Sequence, residues 1–280
     1  MKKIYVIVGS TASGKSDLAV KIAKSVHGEI VNADSIQVYR DIPLLTARPT
    51  LADEQGILHH LYGYLDEHAV CSAADWLEKA VLTLNHIDTP VVVGGTGLYI
   101  KALTEGLNDI PPVDTAIRDM VRNMPIEEVR SKVLNCSATD PQRLRRALEV
   151  QLTTGKPLSY FQSLPPVKKI KADFEILWVN HPREEIRTRC RIRFLQMLEQ
   201  GAITQVQDLL SRSPTGGITK AIGFKEISAY LNREISYENM IDLAVIATCQ
   251  YAKRQQTWFK HQLKSPKIII PEPFLLITTE

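Results

Sequence analysis

Ile4-Tyr5-Val6-Ile7-Val8-Gly9-Ser10-Thr11-Ala12-Ser13-Gly14-Lys15-Ser16 runs from an apolar stretch into a Gly-rich turn that ends in Lys-Ser. An apolar run, a Gly-x-x-x-x-Gly-Lys-Ser turn and an amphipathic stretch make the strand, loop and helix of a phosphate-binding P-loop. Glycine lets the backbone turn tightly. The N–H groups of Gly9, Ser10, Thr11, Ala12, Ser13 and Gly14 then line a cradle for a diphosphate or triphosphate, backed by the positive end of the next helix. Lys15 is placed to reach the outer phosphates, and the Ser16 hydroxyl to complete a Mg²⁺ shell. Leu18, Ile22, Ala23 and Val26 recur at helical spacing, and His27-Gly28 ends the run. The pattern specifies a phosphate ligand and leaves the reaction open.

Outward from the loop, short apolar strands are predicted at 4–8, 29–33 and 90–94, with helical stretches between them. This is the pattern of a parallel sheet with crossover helices. Further strands are predicted at 174–179 and 267–270. Ligands in such sheets bind beyond the carboxyl ends of the strands. The P-loop, Asp34-Ser35 and Gly95-Thr96-Gly97 should therefore converge on one crevice.

Pro111-Pro112 marks a boundary, and the stretch from there to about Lys171 has no clear strand and reads as helical. Asp140-Pro141 is a good helix start and Thr154-Gly155-Lys156-Pro157 a good stop. The helix between them carries Arg143, Arg145 and Arg146. The expected organisation is a P-loop kinase-like α/β core, residues 1–112 and 173–280, with a lid-like helical insertion at 113–172. Helices are also predicted from Arg183 to Gly201 and from Glu238 to His261.

Composition narrows the class. The chain has 280 residues and a net charge of +3, unevenly spread. Residues 1–140 carry 13 Lys+Arg and 18 Asp+Glu, and residues 141–280 carry 21 and 13. The halves stand at −5 and +8, which hints at a polyanion partner for the second. Cys71, Cys136, Cys190 and Cys249 form no CxxC pair, so free thiols in a reducing cytoplasm are expected. No apolar stretch approaches the roughly 20 residues of a membrane span, and the apolar start is too short for a signal peptide.

Several residues have two or more readings. Asp34, at a strand end beside the P-loop, suits a water-mediated Mg²⁺ ligand, a general base or a helix N-cap. Ser35 and Gln37 offer hydrogen-bonding groups for a base edge. Thr96 is either the polar group of the crevice or a capping residue in a plain turn. His59-His60 lacks a third ligand and reads as structural. Arg187, Arg189, Arg191 and Arg193 read as a solvated, ion-paired helix face. Tyr251, Lys253, Arg254, Trp258 and Lys260 interleave rings with cations, which suits RNA, although Trp258 and Phe259 also suit a core.

Taken together, the chain resembles the tRNA dimethylallyltransferase (tRNA isopentenyltransferase) family. The matching segments are GSTASGKS (9–16), DSIQVYR (34–40), TARPT (46–50), HHL (59–61), GGTGLYIKAL (94–103), RRALEV (145–150), TGKPLS (154–159), GFKE (223–226) and YAKRQQTWF (251–259). The resemblance implies transfer of a dimethylallyl group from its diphosphate to the exocyclic amine of the adenosine at tRNA position 37. It implies Asp34 as general base and Thr96 as a hydrogen-bonding group of the reaction centre. The P-loop, Lys15, Ser16 and Mg²⁺ would hold the diphosphate, joined by Lys220. Ser35 and Gln37 would hold the flipped-out adenine, and Arg143, Arg146, Lys253, Arg254 and Gln255 would lie near the anticodon stem. A cytoplasmic monomer with no membrane contact is expected.

Four positions depart from the family pattern: Leu45 for a Gly, Cys249 for an Arg, Val245 for a Lys, and Lys220 for an Arg, which loses the bidentate fork. The alternatives are a transferase acting on free adenosine nucleotides, a small-molecule P-loop kinase and a non-catalytic tRNA-binding relative. The basic second half argues against the first, and DSIQVYR with GGTGLY against the second.

Overall fold

The computed structural model describes residues 1–269; residues 270–280, including the last residue of the strand predicted at 267–270, lie outside the described part. In chain order the elements are β1 (Lys2–Gly9), α1 (Lys15–Ser25), β2 (Glu29–Asn32), α2 (Pro43–Thr46), α3 (Leu51–Glu54), β3 (His59–His60), α4 (Ala73–His86), β4 (Pro90–Gly94) and α5 (Gly97–Glu105). They continue as α6 (Thr115–Asn123), α7 (Ile126–Lys132), α8 (Pro141–Thr154), α9 (Leu158–Ser163), β5 (Ala172–Val179), α10 (Arg183–Glu199) and α11 (Ala202–Ser211). A 3₁₀ turn (Gly217–Lys220), α12 (Phe224–Leu231), α13 (Tyr237–Gln262) and β6 (Lys267–Ile269) complete them.

The six strands form one parallel sheet in the order β3-β2-β4-β1-β5-β6. The α/β class expected from the apolar runs is the class observed. A strand covered on both faces has no solvent side to mark with polar residues, and Ile4, Val6, Ile7 and Val8 are all fully buried. On one face Ile7, Ile30, Val91, Val93 and Val179 pack against Ala19, Val20 and Ala23 of α1. Leu18, Ile22 and Val26, expected on that face, flank the cluster half-buried. Elsewhere Phe259 of α13 lies 6.5 Å from Trp178 of β5, ring centre to ring centre. The two-residue β3 was not predicted. His59-His60 is too short to show a period, and its pairing with Ile30 and Val31 is tertiary.

Register places the strand ends together. Val8 pairs with Gly94, Gly9 with Val179, and Asn32 with Val93. Strands in register end at one edge, so the turns after β1, β2, β4 and β5 emerge side by side. No helix among the described residues is long and apolar enough to cross a membrane.

The chain forms two compact units, residues 1–104 with 169–280, and residues 105–168. The second unit is not bounded at Pro111-Pro112. Leu107 and Val167 exchange backbone hydrogen bonds, so the entering and leaving strands of chain are tied together inside the unit. Within it Val121, Val129, Leu144 and Leu148 form one core and Val113, Val150 and Phe161 another. Asp140 accepts from the Arg143 N–H at 2.9 Å, and Gly155 ends α8 in the left-handed region at φ 70°.

Candidate active site

The P-loop begins where β1 ends. Ser10 and Ser13 are 1% exposed, and neither hydroxyl has a hydrogen-bond partner. Two orphaned buried hydroxyls in one loop are costly unless something else satisfies them. Gly14 takes φ 75°, which a side chain would resist, and hands the chain to α1 with no side-chain cap. The first-turn amides of α1, around the exposed Ser16, are thus free for an anion. Lys15 folds back to donate to the Ser10 carbonyl at 3.2 Å.

Across the crevice, Asp34 follows β2. Its Oδ1 accepts from the Ile36 N–H at 3.0 Å, an Asx turn with no helix after it, so the N-cap reading fails. Behind it, the Asn32 Oδ1 accepts from the Asp34 N–H at 2.9 Å. Lys15, Arg193, Tyr62 and Tyr251 all feel the Asp34 charge. Burial raises both phenols above their ordinary values, and Asp34 raises them further, so both stay protonated.

The Thr96 hydroxyl is committed across the crevice rather than to its own helix. It accepts from the Ser35 N–H at 2.9 Å and donates to the Ser35 Oγ at 3.2 Å, joining the ends of β4 and β2. The Tyr251 phenol of α13 stands near it. Gln37 spends its amide N–H groups on the carbonyls of Thr46 and Ala47, at 3.0 and 2.9 Å. Its donors are therefore closed to a base edge, contrary to expectation.

Gln255 also departs from expectation. It is 5% exposed, accepts from the Thr11 N–H at 2.8 Å and donates to the Gly95 carbonyl at 2.9 Å. Rather than facing RNA, it braces the P-loop against the β4 turn. Replacing it with Leu orphans both backbone groups at ~1–3 kcal/mol each. Gln255→Leu is accordingly expected to lower the melting temperature and to weaken inorganic pyrophosphate binding; a variant matching the parent in both would remove the brace. Next to it, Trp258 lies over Gly97 so closely that a Cβ there would meet the indole at 2.4 Å, whereas Phe259 is core.

Lysine protonation carries a pH signature. The Lys15 pKa is pushed down to about 8, first by burial, with Asp34 pulling it up and Arg193 down again. Below that pH the amine is already charged when a polyanion arrives. Above it, binding must take up a proton, so affinity falls by up to about tenfold per pH unit. The pyrophosphate Kd should be flat to about pH 8 and then rise, and Lys15→Arg should abolish that break. A Kd with the same profile in both proteins would refute the assignment.

Two arginines were missed in the sequence. The Arg193 Nη1 donates to the Thr11 Oγ1 at 3.2 Å and Nη2 to the Thr46 carbonyl at 3.4 Å. Arg189 pairs with Glu185 at 2.6 Å, and one of its Nη atoms lies 3.8 Å from where a Gly14 Cβ would sit. The available signal was the i, i+4 series Glu185, Arg189, Arg193, which puts all three on one face. Arg191, off that face, pairs with Asp242 in the open.

Lys220 is exposed on the 3₁₀ turn, and Lys253 and Arg254 are exposed on α13. In the other unit Arg143 is exposed and Arg146 pairs with Glu149 at 3.4 Å, while Arg145 caps the end of α6 at the Val121 and Met124 carbonyls. His59 and His60 bond the Ile57 carbonyl and Glu29, as structural residues do. Of the departing positions, Leu45 and Val245 are buried, and Cys249 packs beside Cys190 and Ala252.

For Mg²⁺, the described residues hold no cluster of three or more His, Cys, Asp or Glu. The Ser16 hydroxyl on the first turn of α1 and the two orphaned loop hydroxyls fit an ion shared with phosphate oxygens and water.

A family model described as IPP transferase matches residues 37–262. The chain belongs to this family. The tRNA dimethylallyltransferase of Zymomonas mobilis is 41% identical over 276 residues, covering 92% of this chain and 88% of that protein. That of Hyphomonas neptunium is 40% identical, covering 97% and 92%. Among solved structures, a eukaryotic dimethylallyltransferase acting on tRNA superposes with a TM-score of 0.81 at 28% identity, covering 92% of this chain and 70% of that one. The full-length tRNA isopentenylpyrophosphate transferase of Bacillus halodurans gives 0.72 at 29%, covering 96% and 90%. In this IPP transferase the matched span includes the β4 turn and α13, and the P-loop and Asp34 precede it.

Proposed function

We propose that this IPP transferase moves a dimethylallyl group from dimethylallyl diphosphate to the exocyclic N6 amine of adenosine 37 in tRNA, releasing diphosphate. The observation that carries this reading is the placement of Asp34. One carboxylate oxygen is pinned by the Ile36 N–H, the charge of the group acts on Lys15 and Arg193, and the next residue, Ser35, is tied to Thr96.

The chemistry follows from those groups. The amine attacks the allylic carbon, forming the C–N bond as the C–O bond to diphosphate breaks. Nitrogen becomes cationic, and its proton passes to the Asp34 carboxylate. Charge grows on the departing oxygen, where the P-loop amides, Lys15 and Arg193 supply fixed positive partners. Bound Mg²⁺, held through Ser16, would neutralise part of the diphosphate charge. Thr96, Ser35 and the Tyr251 hydroxyl orient the adenine amine. Lys220, Lys253, Arg254, Arg143 and Arg146 are read as phosphate or tRNA contacts, consistent with the +8 charge of residues 141–280. The enzyme is read as a cytoplasmic monomer.

Incubation with Mg²⁺, dimethylallyl diphosphate and unmodified tRNA, followed by nucleoside mass spectrometry, tests this. Prenylated adenosine is expected from tRNA and not from AMP. Product from AMP alone, or tRNA bound without product, would overturn it.

A further inference from the structure

Behind the P-loop, on the side away from Asp34's strand in the sheet order, the chain leaves β5 as Asn180-His181-Pro182 and enters α10. The His181 side chain is fully buried. Its Nε2 lies 3.0 Å from the Ser13 carbonyl oxygen. A carbonyl only accepts, so Nε2 carries the proton and donates. Its Nδ1 lies 3.1 Å from the Glu185 Oε1 and has no hydrogen-bond partner. Glu185 is in turn held by Arg189 at 2.6 Å. Gln256 on α13 donates to the Asn180 Oδ1 at 3.2 Å and to the His181 carbonyl at 3.1 Å, which fixes the histidine's backbone.

We infer that His181 is a positioning residue for diphosphate: by holding the Ser13 carbonyl it aims the Gly14 N–H into the phosphate cradle. The inference rests on the proposed function for the identity of the anion. Ser13 C=O and Gly14 N–H belong to one planar trans peptide, so they point in opposite directions. With the carbonyl fixed on His181, the amide is turned to the far side, where no acceptor among the described residues takes it. There it joins the first-turn amides of α1. Gly14, in the left-handed region at φ 75°, has no Cβ to resist rotation of that peptide. Without the histidine, the peptide is free to turn and the loop loses a donor aimed at the ligand.

The test uses the full chain and two probes, inorganic pyrophosphate by calorimetry and dimethylallyl diphosphate by steady-state kinetics. His181→Leu should raise the pyrophosphate Kd and the KM for the prenyl donor roughly tenfold, the worth of one well-placed hydrogen bond. The kcat and the KM for tRNA should stay close to the parent values. His181→Gln places an amide nitrogen at about the reach of Nε2 and should restore both constants. His181→Asn reaches only as far as Nδ1 and should not. If the Leu variant does not fold, the contrast between Gln and Asn decides. Equal pyrophosphate affinity in parent and Leu variant, or Asn restoring it as well as Gln, would overturn this inference alone. A parent that binds no pyrophosphate overturns the phosphate reading and this inference with it. A parent that binds pyrophosphate but prenylates no tRNA overturns only the proposed function.

Discussion

Asp34→Asn should lower kcat for tRNA prenylation by roughly 10²–10⁴-fold, the usual contribution of a positioned general base. The substitution is conservative where the structure needs it to be. Asn retains an oxygen for the Ile36 N–H, so the Asx turn and the position of the side chain persist. What it loses is the ability to take a proton from the amine as nitrogen becomes cationic. Both KM values should therefore stay within a few-fold of the parent, and the melting temperature should hardly move. The same carboxylate faces Lys15 and Arg193, so its removal also leaves those cations less compensated. Pyrophosphate binding should accordingly be unchanged or tighter. A kcat within tenfold of the parent would mean that solvent or the diphosphate accepts the proton. Asp34 would then be a second contact for the ion or the adenine.

Arg193→Met is the other large effect expected, a loss of roughly 10²–10³-fold in kcat/KM for the prenyl donor, as when one preorganised charged donor is removed from a developing anion. Burial presses the guanidinium below its ordinary pKa while Asp34 holds it up, and it stays charged in the crevice. It donates to Thr11 of the P-loop and to the Thr46 carbonyl, so it links the loop to the 46–50 segment. Methionine fills much of the volume without charge, and Arg193→Lys should restore only part of the activity because it lacks the fork. Arg191→Met on the same helix breaks an exposed pair with Asp242 and should have little effect. Parallel losses at both positions would show that the helix needs its charge as a whole. Full activity in Arg193→Met would remove the residue from the site.

Much of this was legible in the chain, for identifiable reasons. The P-loop could be read because its function is carried by backbone, and a backbone conformation needs glycine at fixed spacing. Parallel strands could be read because burial on both faces gives unbroken apolar runs. α8 could be read because Asp140, Pro141 and Gly155 act locally on their own helix ends. The positions of Asp34 and Thr96 could be read because both sit just past strand ends, where a parallel sheet presents its ligand side.

The errors share one cause. Arg193 and Gln255 are polar residues on helices whose exposed faces are also polar, and a sequence does not distinguish a buried brace from a solvated charge. Gln37 reads from sequence as a base-edge group and Gln255 as a residue near the anticodon stem, yet their donors are spent on the carbonyls of Thr46, Ala47 and Gly95. The insertion boundary was placed at prolines, whereas the backbone pair at Leu107 and Val167 closes the unit. The two-residue β3 exists only because Ile30 and Val31 are there to pair with it.

By itself the sequence determined the fold class, the phosphate loop and the carboxylate at the strand end, because each depends on local propensity, periodicity or backbone conformation. Tertiary structure alone decided which polar side chains serve the site. His181, Arg193 and Gln255 reach the loop from α13 and from the chain at and after the end of β5, and a hydrogen bond across more than a hundred residues leaves no period or spacing to read.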